Sequence, residues 1–123
     1  SVQREWEKVL VITTIYYLNA AQVKLEDGSA DATKKLGALG NLSEAVAFLN
    51  GLRFVPAESR TLSDGDLDAL LTTLKSPSLS TSTLHRYATD VPADTQSLVN
   101  AKTTLQTRFG FTANEMATFM TAF

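Results

Sequence analysis

One carboxylate stands out by its company. Glu44 lies in the stretch LGALGNLSEAVAFLNGLRF, and at helical spacing it shares a face with Gly37, Gly40, Ala47 and Gly51. A carboxylate framed by small side chains can ligate a metal or hold a ligand in a helix-lined cleft. It can equally be a buried acid paired with a neighbouring helix, because buried charge is normally paired. Asn41, three residues earlier, is placed to act with it. The hydroxyls of Tyr16 and Tyr17 are the pairing groups expected to face it. Glu44, Asn41, Tyr16 and Tyr17 therefore form the candidate ligand-binding set. Three glycines in one helix each cost roughly 1 kcal/mol relative to alanine, so a close neighbour is expected along that face.

Other chemistry-bearing residues read as structural. His85 is the only histidine, and a lone imidazole lacks the companions of a zinc site. It is expected to be an exposed loop residue. Asp64, Asp66 and Asp68 alternate like part of a calcium loop, but no glutamate closes a twelve-residue loop. They are expected as cap and first-turn acids that favour a helix N-terminus. Ser78, Ser80 and Ser82 belong to a Ser/Thr-rich loop, with no Gly-x-Ser-x-Gly or Ser-x-x-Lys around them. No catalytic residue, resident metal or cofactor is expected, and the chain is not read as an enzyme.

The elements that must position these residues are helical. The chain has 123 residues, 44% of them hydrophobic, which suits one packed domain over residues 1–123. Ser1–Glu26 reads as a long helix with two apolar stripes. One runs through Trp6, Val9, Leu10, Thr13, Tyr17 and Ala20. The other runs through Val11, Ile15, Leu18 and Leu25, with Ile12 and Tyr16 beside it. A helix apolar on so much of its surface calls for partners on two sides. Asp27-Gly28-Ser29 makes a turn, with Ser29 as the next cap.

A second helix spans Ala30 to about Arg53, with Leu36, Leu39, Leu42, Val46, Leu49 and Leu52 as its core stripe. Phe54–Leu62 is a loop. Ser63 caps a helix over Asp64–Lys75. Ser76–Thr83 is a loop, Leu84–Ala88 a short turn and Thr89–Pro92 a break. A helix over Ala93–Phe109 stops at Gly110, and Thr112 with Glu115 forms a capping box for the last one. That helix presents Met116, Phe119, Met120 and Phe123, a second docking face. The fold class is all-α, a bundle of about five helices.

Composition narrows the function classes. Net charge is −2 and the basic residues are scattered, which argues against nucleic acid. The absence of cysteine removes disulfides, thiolate metal sites and cysteine nucleophiles. The apolar run Val9–Leu18 falls far short of the ~20 residues a membrane span needs. The first residue is Ser1, which fits a processed or longer chain.

Three segments together resemble a known family. They are REWEKVLVITTIYYLNAAQVKLE, LSEAVAFLNGLRF and the Leu-rich helix after a polar loop. They look like the C-terminal part of an uncharacterised bacterial envelope family, the domain of unknown function 4856, which is similar to imelysin-like proteins. Leu42-Ser43-Glu44 running on to Gly51-Leu52-Arg53-Phe54 carries most of the resemblance, which covers Val2–Thr73 and extends loosely beyond. It implies an imelysin-like half-bundle, the C-terminal portion of a longer secreted or lipid-anchored protein. It implies a place in the periplasm or on the outer-membrane surface, and a role in iron or nutrient uptake. The imelysin-like Gly-x-His-x-x-Glu motif would put its glutamate at Glu44, its histidine at Asn41 and its glycine at Leu39. Without the histidine no metal site carries over.

The sequence therefore leads to a non-enzymatic, extracytoplasmic binding or accessory protein. The alternative is a structural interaction subunit completing a larger helical assembly. The expected partner is another protein chain or a missing N-terminal portion, with a metal or small ligand left open.

Overall fold

Two long helices laid antiparallel set the frame. The computed structural model describes residues 2–27, 31–78, 80–90 and 94–121. Helix α1 spans Val2–Glu26 and α2 spans Ala32–Gly51. Near the turn, Asp27 pairs with Lys34. One turn in, Lys24 Nζ donates to Asn41 Oδ1 at 2.7 Å. Further along, the rings of Tyr17 and Phe48 stack at 5.7 Å. The order of these ties fixes the antiparallel sense. Helix α2 starts at Ala32 behind the cap Asp31, whose side chain accepts from the Lys34 amide; the expected start at Ala30 lies outside the described residues. The expected turn and cap at Gly28 and Ser29 lie outside the described residues.

The core line of α2 is rotated from the expected stripe. Leu42, Val46, Leu49 and Leu52 are buried as the spacing predicts. Ala38 and Ala45 complete the line, whereas Leu36 is 68% exposed. Alanines at those two positions leave room for α1 to approach, so the interface centres on them. On α1 the stripe through Val11, Ile15 and Leu18 is buried, joined by Glu7, Thr14 and Ala21. The hydroxyls of its two adjacent threonines find their acceptors within the helix itself. Thr13 donates to the Val9 carbonyl and Thr14 to that of Leu10.

The remaining elements close over one side of this hairpin. Two single 3₁₀ turns, Leu52–Phe54 and Ala57–Ser59, lead to α3 at Asp64–Thr73. Then come α4 at Arg86–Thr89, α5 at Gln96–Phe109 and α6 at Ala113–Phe119. The domain is all-α, and no strand occurs among the described residues. Six α-helices are described, the four-residue α4 standing where a short turn was expected.

Local chemistry explains the boundaries. Both α3 and α6 start with complete capping boxes, Ser63 with Asp66 and Thr112 with Glu115. Helices α3 and α5 end alike, with a left-handed residue after the last turn. Gly110 does this for α5, the Phe111 amide reaching the Gln106 carbonyl at 3.1 Å. At α3 the residue is Lys75, and the Ser76 amide reaches the Leu71 carbonyl at 2.9 Å. A non-glycine residue there is strained. Lys75 offsets this by pairing with Asp94 at 3.3 Å and lying over the Tyr87 ring.

Leu62, Leu67, Leu70, Leu71, Leu74, Tyr87, Leu98, Ala101, Leu105, Phe111 and Met116 fill the core opposite the hairpin. The face expected to dock through Met116, Phe119 and Met120 is therefore spent inside. Met116 is buried, and Phe119 and Met120 pack partly buried on the core. Phe123 lies outside the described residues.

Candidate functional site

An opening runs beside the C-terminal half of α2, lined by no described residue of α1. It is a groove of about 510 Å³, within the range of small-molecule sites. Val46, Ala47 and Leu84 give it an apolar floor, and Phe54 stands at its edge. Ser43 and Asn50 of α2 and Ser76 and Ser82 of the loop supply polar points. Phe54 is 91% exposed, held out by the 3₁₀ turn that follows α2. Among the described residues Arg53 is the only ionisable one lining the groove. Its guanidinium is held by Asp68 at 2.5 Å and faces Asp64 at 3.8 Å.

Small residues of α2 do line a cleft, but a different part of the helix is involved from the one expected. Of the face Gly37, Gly40, Glu44, Ala47 and Gly51, only Ala47 reaches the groove. A side chain added at Gly40 or Gly51 would meet nothing within 4 Å, and at Gly37 it would meet only the flexible end of Lys24. The expected close neighbour along this face is thus absent. Glu44 is exposed and makes no hydrogen bond or ion pair with any described residue. A buried, paired Glu44 is corrected on that ground: its side chain is exposed and no described residue bonds to it.

Of the other three candidates, Asn41 and Tyr17 lie along the seam between α1 and α2, and Tyr16 stands beside Tyr17. Asn41 is engaged by Lys24. Tyr16 and Tyr17 meet edge to face at 5.3 Å, and Tyr17 stacks on Phe48. Asn41, Tyr17 and Phe48 share one seam, and Glu44 stands beside it without joining it. His85 is exposed at the start of α4, as expected. Asp66 is the capping-box acid, while Asp64 and Asp68 pair with Arg60 and Arg53. Among the described residues no cluster of three or more His, Cys, Asp or Glu is arranged to hold a metal ion.

The buried carboxylate of this protein is Glu7. It is 1% exposed, and its two oxygens accept the amide protons of Thr61 and Leu62 at 2.7–3.0 Å. These bonds fasten the bend between the second 3₁₀ turn and α3 to α1 across 54 residues of chain. Arg108 of α5 ties down the same loop, donating to the Thr61 carbonyl at 3.0 Å and to Asp66 at 2.8 Å. Beside them the Arg60 side chain is 3% exposed and pairs with Asp64 at 3.0 Å. Sequence reading passed over Glu7 because it sits among charged residues in the first turns of α1. Its spacing of four from Val11 and eight from Ile15 was the available signal.

A second buried charge is Lys102 on α5, only 9% exposed. Its ammonium donates to Asn19 Oδ1 at 3.1 Å and lies 3.9 Å from Met120 Sδ. Burial holds its pKa below the usual lysine value, with Glu26 opposing. It lines a cavity of about 300 Å³ between α5 and α6.

These features define a helical domain with an apolar groove. No protein-family model, curated protein or solved structure matches the chain.

Proposed function

We propose that this chain is a non-enzymatic helical binding or accessory module that takes a small, largely apolar ligand in the groove beside α2. The composition of that groove carries the reading. Its floor is apolar, its polar points are serines and an asparagine, and neither carboxylate nor imidazole lines it. Acid–base or nucleophilic catalysis needs a paired base or a positioned nucleophile, which such a lining does not supply. The setting comes from the resemblance: a bacterial extracytoplasmic protein serving uptake of iron or another nutrient at the envelope. The apolar floor of the groove suits the apolar body of a carrier molecule better than a bare ion.

The test uses 8-anilinonaphthalene-1-sulfonate, an aromatic probe with a single anionic group. Saturable one-site binding is expected, abolished by Ala47→Phe, which fills the groove from an exposed position. Binding that ignores Ala47→Phe would sink the ligand reading. Fractionation of the native host tests the setting, and recovery in the cytosol would remove the envelope role.

A second reading has its own observation. The outward side of α1 carries Val2, Trp6, Val9, Thr13, Tyr16, Ala20 and Val23 at alternating spacings of four and three. Val2, Trp6, Val9 and Val23 are each more than half exposed. This is a helix-docking seam, and it favours an interaction subunit completing a larger helical assembly. The expectation that α1 needs partners on two sides is met on one side by the domain itself. Trp6→Glu should leave folding intact and abolish any higher-order species seen by light scattering. A wild-type chain that stays monomeric at high concentration, and with the rest of its native protein present, would rule this reading out.

A further inference from the structure

Lys102 is unlike the other five lysines. Its side chain lines an open pocket at α5 and α6, together with Val99, Thr103, Gln106, Ala113, Met116 and Met120. One amide oxygen and one thioether are its neighbours. Among the described residues no carboxylate lies within ion-pair distance of it. Glu26, at the end of α1, is the acidic group whose field reaches it, and α6 contributes only Ala113 and Met116, with Met120 at its C-cap, to the described lining. An ammonium held this way keeps its charge poorly, and a neutral amine keeps its lone pair available.

We propose that Lys102 is a carbonyl-reactive amine, and that its cavity admits small uncharged aldehydes and ketones which condense with Nζ to an imine. The Nζ lone pair attacks the carbonyl carbon, and a proton moves from nitrogen to oxygen to give a carbinolamine. Loss of water then leaves the C=N bond. No oxidant or reductant enters. About 300 Å³ suits a chain of a few carbons, and a charged carbonyl compound would find no ion-pair partner among the described lining residues besides the amine it is to react with. The site is separate from the groove beside α2 and stands whether or not that groove takes a ligand.

Butanal with cyanoborohydride at pH 7 converts each imine to a stable alkyl-lysine, and peptide mapping reads every lysine in one experiment. Lys102 is expected to be labelled about fivefold or more above the mean of the other lysines, as suits a buried amine of lowered basicity. Lys34 should be slowest, since its hydrogen bond and attraction to Asp27 raise its pKa. Labelling at Lys102 should level off at a lower pH than at the others. Thr103→Trp, placed at the exposed rim, should suppress Lys102 labelling alone. Labelling of Lys102 at or below the rate of the exposed lysines would overturn the proposal. So would labelling indifferent to Thr103→Trp in a folded variant.

Discussion

Two glutamates make the sharpest contrast in this molecule. Glu44 sits among glycines and alanine and is exposed; Glu7 sits among charged and aromatic residues and is sealed from water. Small neighbours offer a carboxylate space but no hydrogen-bond donor. What buries Glu7 is a supply of donors, since the segment around Thr61 and Leu62 turns two backbone amides toward it. Those amides belong to no helix, so they too lack partners until Glu7 arrives. Burial of charge here follows from a match of unmet needs.

The largest effect is expected from breaking that match. Glu7→Ala removes an acceptor of charge-assisted bonds and leaves two amides unsatisfied, at a cost of about 3 kcal/mol. The midpoint of urea unfolding measures it. Glu7→Gln keeps one acceptor oxygen and should lose about half as much. Equal stability of Glu7→Ala and the wild type would mean that water serves the amides as well as the carboxylate does.

The next effect has the opposite sign and comes from the face around Glu44. Gly40 lies in the middle of α2, and an added side chain meets nothing within 4 Å. Gly40→Ala should therefore stabilise the protein by up to about 1 kcal/mol, by lowering the entropy lost on folding. Thermal unfolding reads it directly. A drop in melting temperature would mean that this face is covered in the protein as it works.

These cases show where the sequence was readable. Helix-forming periodicity, the caps Ser63 and Thr112 and the stop at Gly110 act through neighbours three to five residues away. They were therefore visible in the chain itself, and the all-α fold with them. The end of α3 was not, because a lysine takes the left-handed position and its support from Asp94 and Tyr87 comes from afar. The groove was half legible. Ala47 lies on the small-residue face, but Phe54 and Leu84 join it only through the chain's return. Glu7 and Lys102 were missed for the same reason. Their partners stand 54 and 83 residues away, and nothing local marks them.

Asp66 falls between the two glutamates. It accepts the Ser63 amide at 2.8 Å and the Arg108 guanidinium at 2.8 Å while staying partly exposed. The Arg108 hydrogen bond and the Ser63 amide hold its pKa below the ordinary carboxylate value. A carboxyl with a depressed folded pKa contributes stability that is present above its unfolded pKa. That contribution is lost as pH falls through the folded one. Stability should therefore decline below about pH 4, and Asp66→Asn should flatten that part of the profile. Unfolding midpoints at stepped pH check it; an unchanged acid limb would assign the loss to other carboxylates.

The smallest effect is expected at Glu44. Its carboxylate is exposed and bonded to no described residue, so Glu44→Ala should shift stability by less than about 0.5 kcal/mol. The same substitution should leave probe binding in the groove unchanged, because Glu44 does not line it. A null result in stability with a loss of binding would move the ligand site from the Ala47 flank of α2 to the Glu44 face. It would also reinstate Glu44 as a ligand residue despite its exposure. A large loss of stability would instead mean that the carboxylate meets a partner in solution. Because Glu44 lies near the Asn41, Tyr17 and Phe48 seam, that partner would have to reach across α1 and α2 together. Combining Glu44→Ala with Trp6→Glu would identify it: non-additive losses would place both residues under one docked chain, and additive ones would keep them apart.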